Sequence, residues 1–126
     1  MIVLDTHALI WWSSDPARLS ARARRAIAAE ERLGVPAIVF WETSLLVRKR
    51  KLDLGMPTGD WADRVLAIPR VEPLDMTPEI ALEADGLAMH ADPADRFIVA
   101  TALRSGASVV TKDRLLRALR FVRTVW

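Results

Sequence analysis

Four acidic residues stand where the chain changes direction. Asp5 follows Ile2-Val3-Leu4, Glu42 sits in Trp41-Glu42-Thr43, Asp95 in Asp92-Pro93-Ala94-Asp95, and Asp113 after Val110-Thr111-Lys112. They are separated by 37, 53 and 18 residues, so only a tertiary fold can gather them. Carboxylates brought together repel and raise one another's pKa unless a cation lies among them. Hard oxygen donors of this kind suit Mg²⁺, with Mn²⁺ as a substitute. Such an ion beside basic surface suits phosphodiester hydrolysis.

The elements that must position these acids can be read from hydrophobic pattern. Ile2-Val3-Leu4 reads as a strand buried on both faces. Residues 6–12 read as a short helix, and Asp15-Pro16 starts a longer one over 17–33 that Gly34 ends. Val35 to Val39 is predicted as a second strand, followed by a helix with Glu42 in its first turn. Helices are expected over 59–68 and 78–88, from Asp92-Pro93 to Gly106, and near 113–119. Val71-Glu72-Pro73-Leu74 reads as an edge strand, because Pro73 cannot donate to a ladder. Ala107 to Val110 is the clearest strand, and a short one closes the chain around 121–125. Strands alternating with helices predict an α/β fold, layered around a mostly parallel sheet of about four to five strands. In such a sheet ligands bind outside the carboxyl ends of the strands. Topology therefore sends Asp5, Glu42, Asp95 and Asp113 to one rim. Each also has a local role open to it: Asp92 as a helix N-cap with Asp95 as its N3 partner, Glu42 as a dipole complement, Asp5 and Asp113 as caps after strands.

Composition narrows the alternatives. The 126 residues suit one domain, 1–126, large enough to fold without staples. No cysteine is present, which excludes thiolate metal sites, a cysteine nucleophile and a disulfide scaffold. No apolar run reaches the length of a membrane span, and Asp5 interrupts any signal-peptide core, so a cytoplasmic protein without membrane contact is expected. The net charge is only +2, but residues 17–52 carry nine bases against three acids, 53–95 two against ten, and 96–126 seven against one. Basic blocks around an acidic middle are the footprint of a polyanion partner, or of solvated helical faces.

At this point a resemblance becomes specific. Leu4-Asp5-Thr6-His7-Ala8-Leu9-Ile10-Trp11-Trp12 resembles the opening of PIN-domain ribonucleases of the VapC toxin type. Trp41-Glu42-Thr43-Ser44-Leu45-Leu46 is similar to their second motif, Asp92 to Ala102 to the third, and Val110-Thr111-Lys112-Asp113 to the fourth. Four motifs in order span almost the whole chain. The resemblance implies a three-layer α/β/α domain and a Mg²⁺- or Mn²⁺-dependent endoribonuclease. It also implies the toxin of a type II toxin–antitoxin pair, a homodimer neutralised by a small antitoxin, and an RNA substrate such as tRNA or rRNA. The metal site would comprise Asp5, Glu42, Asp95 and Asp113. Family members often place a hydroxyl residue shortly before the Glu, whereas this chain reads Ala37-Ile38-Val39-Phe40.

Supporting roles fall to Thr111, which the resemblance favours, and to Thr6 and Asp92. Either hydroxyl could hold a water or a phosphate oxygen. Arg96, Lys112 and Arg114 lie beside the acids and are candidate phosphate contacts, with pairing to a neighbouring carboxylate an equal alternative for Arg96. Arg48, in the run Arg48-Lys49-Arg50-Lys51, is a candidate RNA contact or a complement to a helix C-terminus. His7 and His90 read as structural hydrogen-bonding groups, and Trp11, Trp12 and Trp41 as core or as partner contacts. Three rivals remain: a receiver-like Mg²⁺-binding signalling module, a non-catalytic binding domain, and a PIN-like nuclease acting on DNA or in housekeeping RNA processing. Receivers need paired acids after the first strand, and Asp5 stands alone.

Overall fold

The computed structural model describes residues 1–126. Its centre is β1 (Ile2–Leu4), whose three side chains are all buried, as a strand covered on both faces requires. β2 (Leu33–Pro36) pairs with it on one side and β4 (Ser108–Val110) on the other. β3 (Val71–Leu74) and β5 (Thr124–Val125) form the edges, giving the order β3-β2-β1-β4-β5 with every pair parallel. Parallel neighbours require crossover connections. These are supplied by α1 (Thr6–Ser14), α2 (Ala21–Ala29), α3 (Ala37–Arg48), α4 (Thr58–Leu66), α5 (Pro78–Gly86), α6 (Pro93–Arg104) and α7 (Arg114–Arg117), which flank the sheet in a three-layer α/β/α arrangement. No helix is long and apolar enough to cross a membrane. One core of 24 buried residues runs through the layers, with Val3, Leu4, Val35 and Val109 fully enclosed. Burying such side chains stabilises the fold by about 1.5–3 kcal/mol each.

Three boundaries differ from expectation. The helix expected over 17–33 is a 3-10 turn, Pro16–Arg18, followed by α2 from Ala21 to Ala29. Ser20 divides them: its hydroxyl accepts the Ala23 N–H at 3.0 Å and caps a new helix. Gly34 therefore ends no helix but lies inside β2, where an added Cβ would stand 2.7 Å from Leu74 Cδ1 and 3.1 Å from Met1 Sδ. The second strand accordingly covers Leu33–Pro36 rather than Val35 to Val39, and α3 begins at Ala37. The apolar run passes without a break from strand into helix, so hydrophobicity could not mark that border. Glu42 consequently falls in the second turn of α3, not the first. Pro73 does lie in an edge strand, as its missing N–H demands.

Candidate active site

The carboxyl ends of β1 and β4 lie side by side on one rim, tied by the Asp5 N–H donating to the Val110 carbonyl at 3.2 Å. Asp5 caps α1, its Oδ1 accepting the Ala8 N–H at 2.7 Å. Asp113 caps α7, its Oδ1 accepting from the Leu115 and Leu116 N–H groups at 2.7 and 3.0 Å. Asp92 caps α6, accepting the Asp95 N–H at 3.3 Å. These three therefore do start helices, and the same caps aim their carboxylates at the rim. Asp5, Thr6, His7, Glu42, Asp92, Asp95, Ile98 and Asp113 line a single cavity of about 200 Å³. All four acids separated in sequence are brought together there.

Several of these carboxylates commit one oxygen to the protein and keep the other without a protein partner. Asp113 uses Oδ1 for its cap. Asp95 places Oδ2 2.7 Å from Nε2 of His90. Glu42 takes the Thr6 hydroxyl on Oε1. Burial is the main reason the Asp5 carboxyl is pushed up to about 7, and the Asp95 and Glu42 charges add to it against hydrogen bonds from Thr111 and Ala8. Burial also raises Glu42, and Asp95 and Asp92 raise it further against the Thr6 bond. Asp95 is raised by burial first, then by Asp92 and Asp113, with His90 opposing. Mutual repulsion in a partly dry pocket is what a cation would relieve. The donors are all oxygens, the chemistry Mg²⁺ or Mn²⁺ prefers. No three of these side chains are arranged to hold an ion as they stand, so an ion bound here would have to keep several of its waters as ligands.

The PIN domain family matches residues 2–122. The chain belongs to the PIN-domain family. Ribonuclease VapC22 of Mycobacterium tuberculosis is 39% identical to this PIN domain over 129 residues, covering 99% of this chain and 98% of that protein. Among solved structures, DNA-bound VapBC from Salmonella typhimurium superposes with a TM-score of 0.69 at 21% identity, over 98% of this chain and 97% of that one. VapC20 of Mycobacterium tuberculosis, a toxin that cleaves the sarcin-ricin loop, gives 0.67 at 20% identity, over 97% of each chain. These structures share the fold of this PIN domain.

The remaining candidates divide. Thr111 is fully buried beside Asp5 and accepts the Asp113 N–H at 3.0 Å. Lys112 and Arg114 line a hollow with Asp5, His7, Trp11 and Asp113, adjoining the acidic cavity. Arg96 is not a phosphate contact. Its guanidinium donates to five backbone carbonyls, those of Ala84, Asp85, Leu87, Met89 and His90, at 2.6–3.1 Å. All its directions are taken by the end of α5 and the loop that follows. Arg48 closes the last turn of α3, six residues beyond Glu42 and away from the rim, so it complements the helix dipole. His90 forms the expected structural hydrogen bond. His7 does not; its ring packs 5.5 Å from that of Trp11. Trp11 is buried, Trp12 half-buried and Trp41 57% exposed. Sequence reasoning missed the Thr6–Glu42 contact across 36 residues. Thr6 brings a hydroxyl from α1 to the Glu42 carboxylate.

Proposed function

We propose that this PIN domain is a divalent-metal-dependent endoribonuclease and the toxin of a type II toxin–antitoxin pair in the cytoplasm. The observation that carries the reading is the shared cavity of Asp5, Glu42, Asp95 and Asp113, with carboxylate oxygens left free. The relationship to a ribonuclease at 39% identity supports RNA as the substrate class. A bound Mg²⁺ or Mn²⁺ would supply a water of lowered pKa and offset charge on the phosphate. Asp5, Asp95 and Asp113 would hold the ion, directly or through its waters, and Glu42 with them. The Thr6 hydroxyl fixes the Glu42 carboxylate, and His90 fixes that of Asp95. Lys112 and Arg114 bind phosphate oxygens beside the cleaved bond. Attack by water leaves a 5′-phosphate and a 3′-hydroxyl. Incubation with labelled RNA and DNA, with Mn²⁺ or with EDTA, tests this. RNA cleavage in Mn²⁺, its loss in EDTA and intact DNA are expected; RNA cleavage persisting in EDTA, or a preference for DNA, refutes it.

Thr6→Val is expected to lower kcat by about ten- to a hundredfold, since outer groups that orient metal-binding carboxylates carry effects of that size. Thr6→Ser should recover most of the loss in the same cleavage assay. Equal losses in both variants would assign Thr6 a packing role instead.

The solved toxin–antitoxin complexes sharing this fold support an antitoxin as partner; that the antitoxin is small and that the toxin works as a homodimer are part of the proposal. Trp41, exposed on α3 one residue before Glu42, is the contact we assign to that partner.

A further inference from the structure

Two more hollows continue the acidic cavity along the rim. The first, of about 360 Å³, shares Asp5, His7 and Asp113 with that cavity and adds Trp11, Lys112 and Arg114. The second, of about 470 Å³, shares Arg114 with the first and adds Arg22, Arg117, Ala118, Thr124 and Trp126. Charge reverses along this path. Acids dominate the cavity, both signs meet in the first hollow, and the second is lined by three arginines and no acid.

These cations have no carboxylate partner. Arg22, Lys112, Arg114 and Arg117 are exposed, and none takes part in the ion pairs of the structure. Other arginines are tied down: Arg32 to Glu72, Arg104 to Glu83, Arg70 to the Ile27 and Glu30 carbonyls. Three guanidiniums from two separate helices, α2 and α7, thus line one hollow that holds no acidic side chain. Trp11, buried and covered by Arg18 at 4.6 Å, lines the first hollow, and Trp126 lines the second. Trp11 and Trp126 have ring centroids 5.8 Å apart, and Lys112 Nζ stands 5.4 Å from the Trp11 ring.

We propose that the two hollows form one track for the single-stranded RNA on one side of the cleaved bond. Lys112, Arg114, Arg117 and Arg22 take its phosphates, and Trp126 offers a flat apolar wall to a base. The proposal rests on the ribonuclease reading above. Guanidinium forks match phosphate oxygens, and aromatic walls accept any base. Continuity with the acidic cavity favours a nucleic acid over an acidic protein segment. A strand gains by bringing one phosphate to the carboxylates, whereas an acidic peptide on the same path would end against them. The chemistry predicts that nucleotides on one side of the bond matter more for binding than those on the other.

The test uses the Asp5→Asn protein, so that RNA binds without being cut, and labelled mixed-sequence RNAs of about 4 and 12 nucleotides. The expected result is a 12-mer bound about tenfold or more tighter than the 4-mer. Adding R22A/R117A should remove most of that advantage and make the salt dependence shallower by about 1.4 in log–log slope, about 0.7 for each lost phosphate contact. R22K/R117K, which keeps the charge, should retain most of it. Both positions are exposed, and a melting curve like the parent's certifies the fold. An unchanged 12-mer affinity in folded R22A/R117A overturns the track. Tighter binding of a glutamate-rich peptide than of RNA, lost with the same substitutions, also overturns it and assigns the hollow to a protein partner. If instead the protein with Asp5 intact cuts no RNA in Mn²⁺, the underlying ribonuclease reading has failed.

Discussion

Asp5→Asn is expected to lower cleavage by about a hundredfold to a thousandfold and, at the same time, to make the protein harder to unfold at alkaline pH. The loss follows from removing the most buried charge of the proposed ion pocket, an electrostatic effect of the size seen when one preorganised group is deleted. The gain follows from linkage. The Asp5 carboxyl is pushed up to about 7 in the folded protein, against an ordinary 3.8. The folded state therefore holds this proton more tightly than the unfolded chain. Its contribution to stability is full below about pH 4, declines as the pH rises, and is gone above about 7. Glu42 and Asp95 are raised as well and act in the same direction. Asparagine carries no charge to desolvate and its oxygen can still cap α1 through the Ala8 N–H. Without divalent ions, the original protein should melt at lower temperature at pH 8 than at pH 5. The variant should lose much of that slope and melt about 5 °C or more higher at pH 8. Millimolar Mg²⁺ should raise the melting temperature of the original protein at pH 8 more than that of the variant. Full cleavage by Asp5→Asn would remove Asp5 from the site, and a variant less stable at pH 8 would show that the cap, not the charge, dominates there.

Arg96→Met is expected to destabilise the fold by about 2–4 kcal/mol, a larger effect than most substitutions at half-buried positions. The guanidinium gathers five carbonyls, of which those of Ala84 and Asp85 belong to the last turn of α5. Helix-end carbonyls have no partner within their own helix, and a cationic donor satisfies them with charge-assisted bonds. Methionine keeps the apolar stem and removes every donor. The loop from Leu87 to Ala91 then loses its anchor, and with it His90, the partner of Asp95. Cleavage should fall along with stability. Arg96→Lys should recover only part of either, because a single ammonium cannot reach five acceptors spread around a planar fork. Urea unfolding and the cleavage assay read the two effects separately. A variant with unchanged midpoint and unchanged rate would show that water replaces the guanidinium without cost.

The two residues also mark the border of what sequence alone could tell. Asp5 was readable because a short buried strand has a defined end, and a parallel sheet sends all such ends to one rim. The same logic located Asp95 and Asp113, and it located Glu42 despite an error in its turn, since a shift within α3 does not move the helix to another edge. Arg96 was misread because its neighbour Asp95 suggested a phosphate ligand. Its partners are main-chain carbonyls of a loop whose path no side-chain pattern encodes. Thr6 and Glu42 illustrate the same limit, for a hydroxyl and a carboxylate 36 residues apart meet only through the packing of α1 beside α3. The division of the 17–33 segment depended on one serine hydroxyl finding a backbone N–H, which composition cannot reveal.

The central position of β1 carries a consequence in time. During synthesis β1 is made before the four other strands of its sheet, yet one of its two neighbours is β4, more than a hundred residues later. A nascent chain that ends before Ser108 already contains Asp5, Glu42 and Asp95, but half of the ladder that should hold Asp5 does not exist. Such long-range pairing forms late and slowly. The fourth acid, Asp113, follows only after β4 has emerged. A chain that has emerged only as far as Asp95 therefore cannot yet present the complete acidic rim.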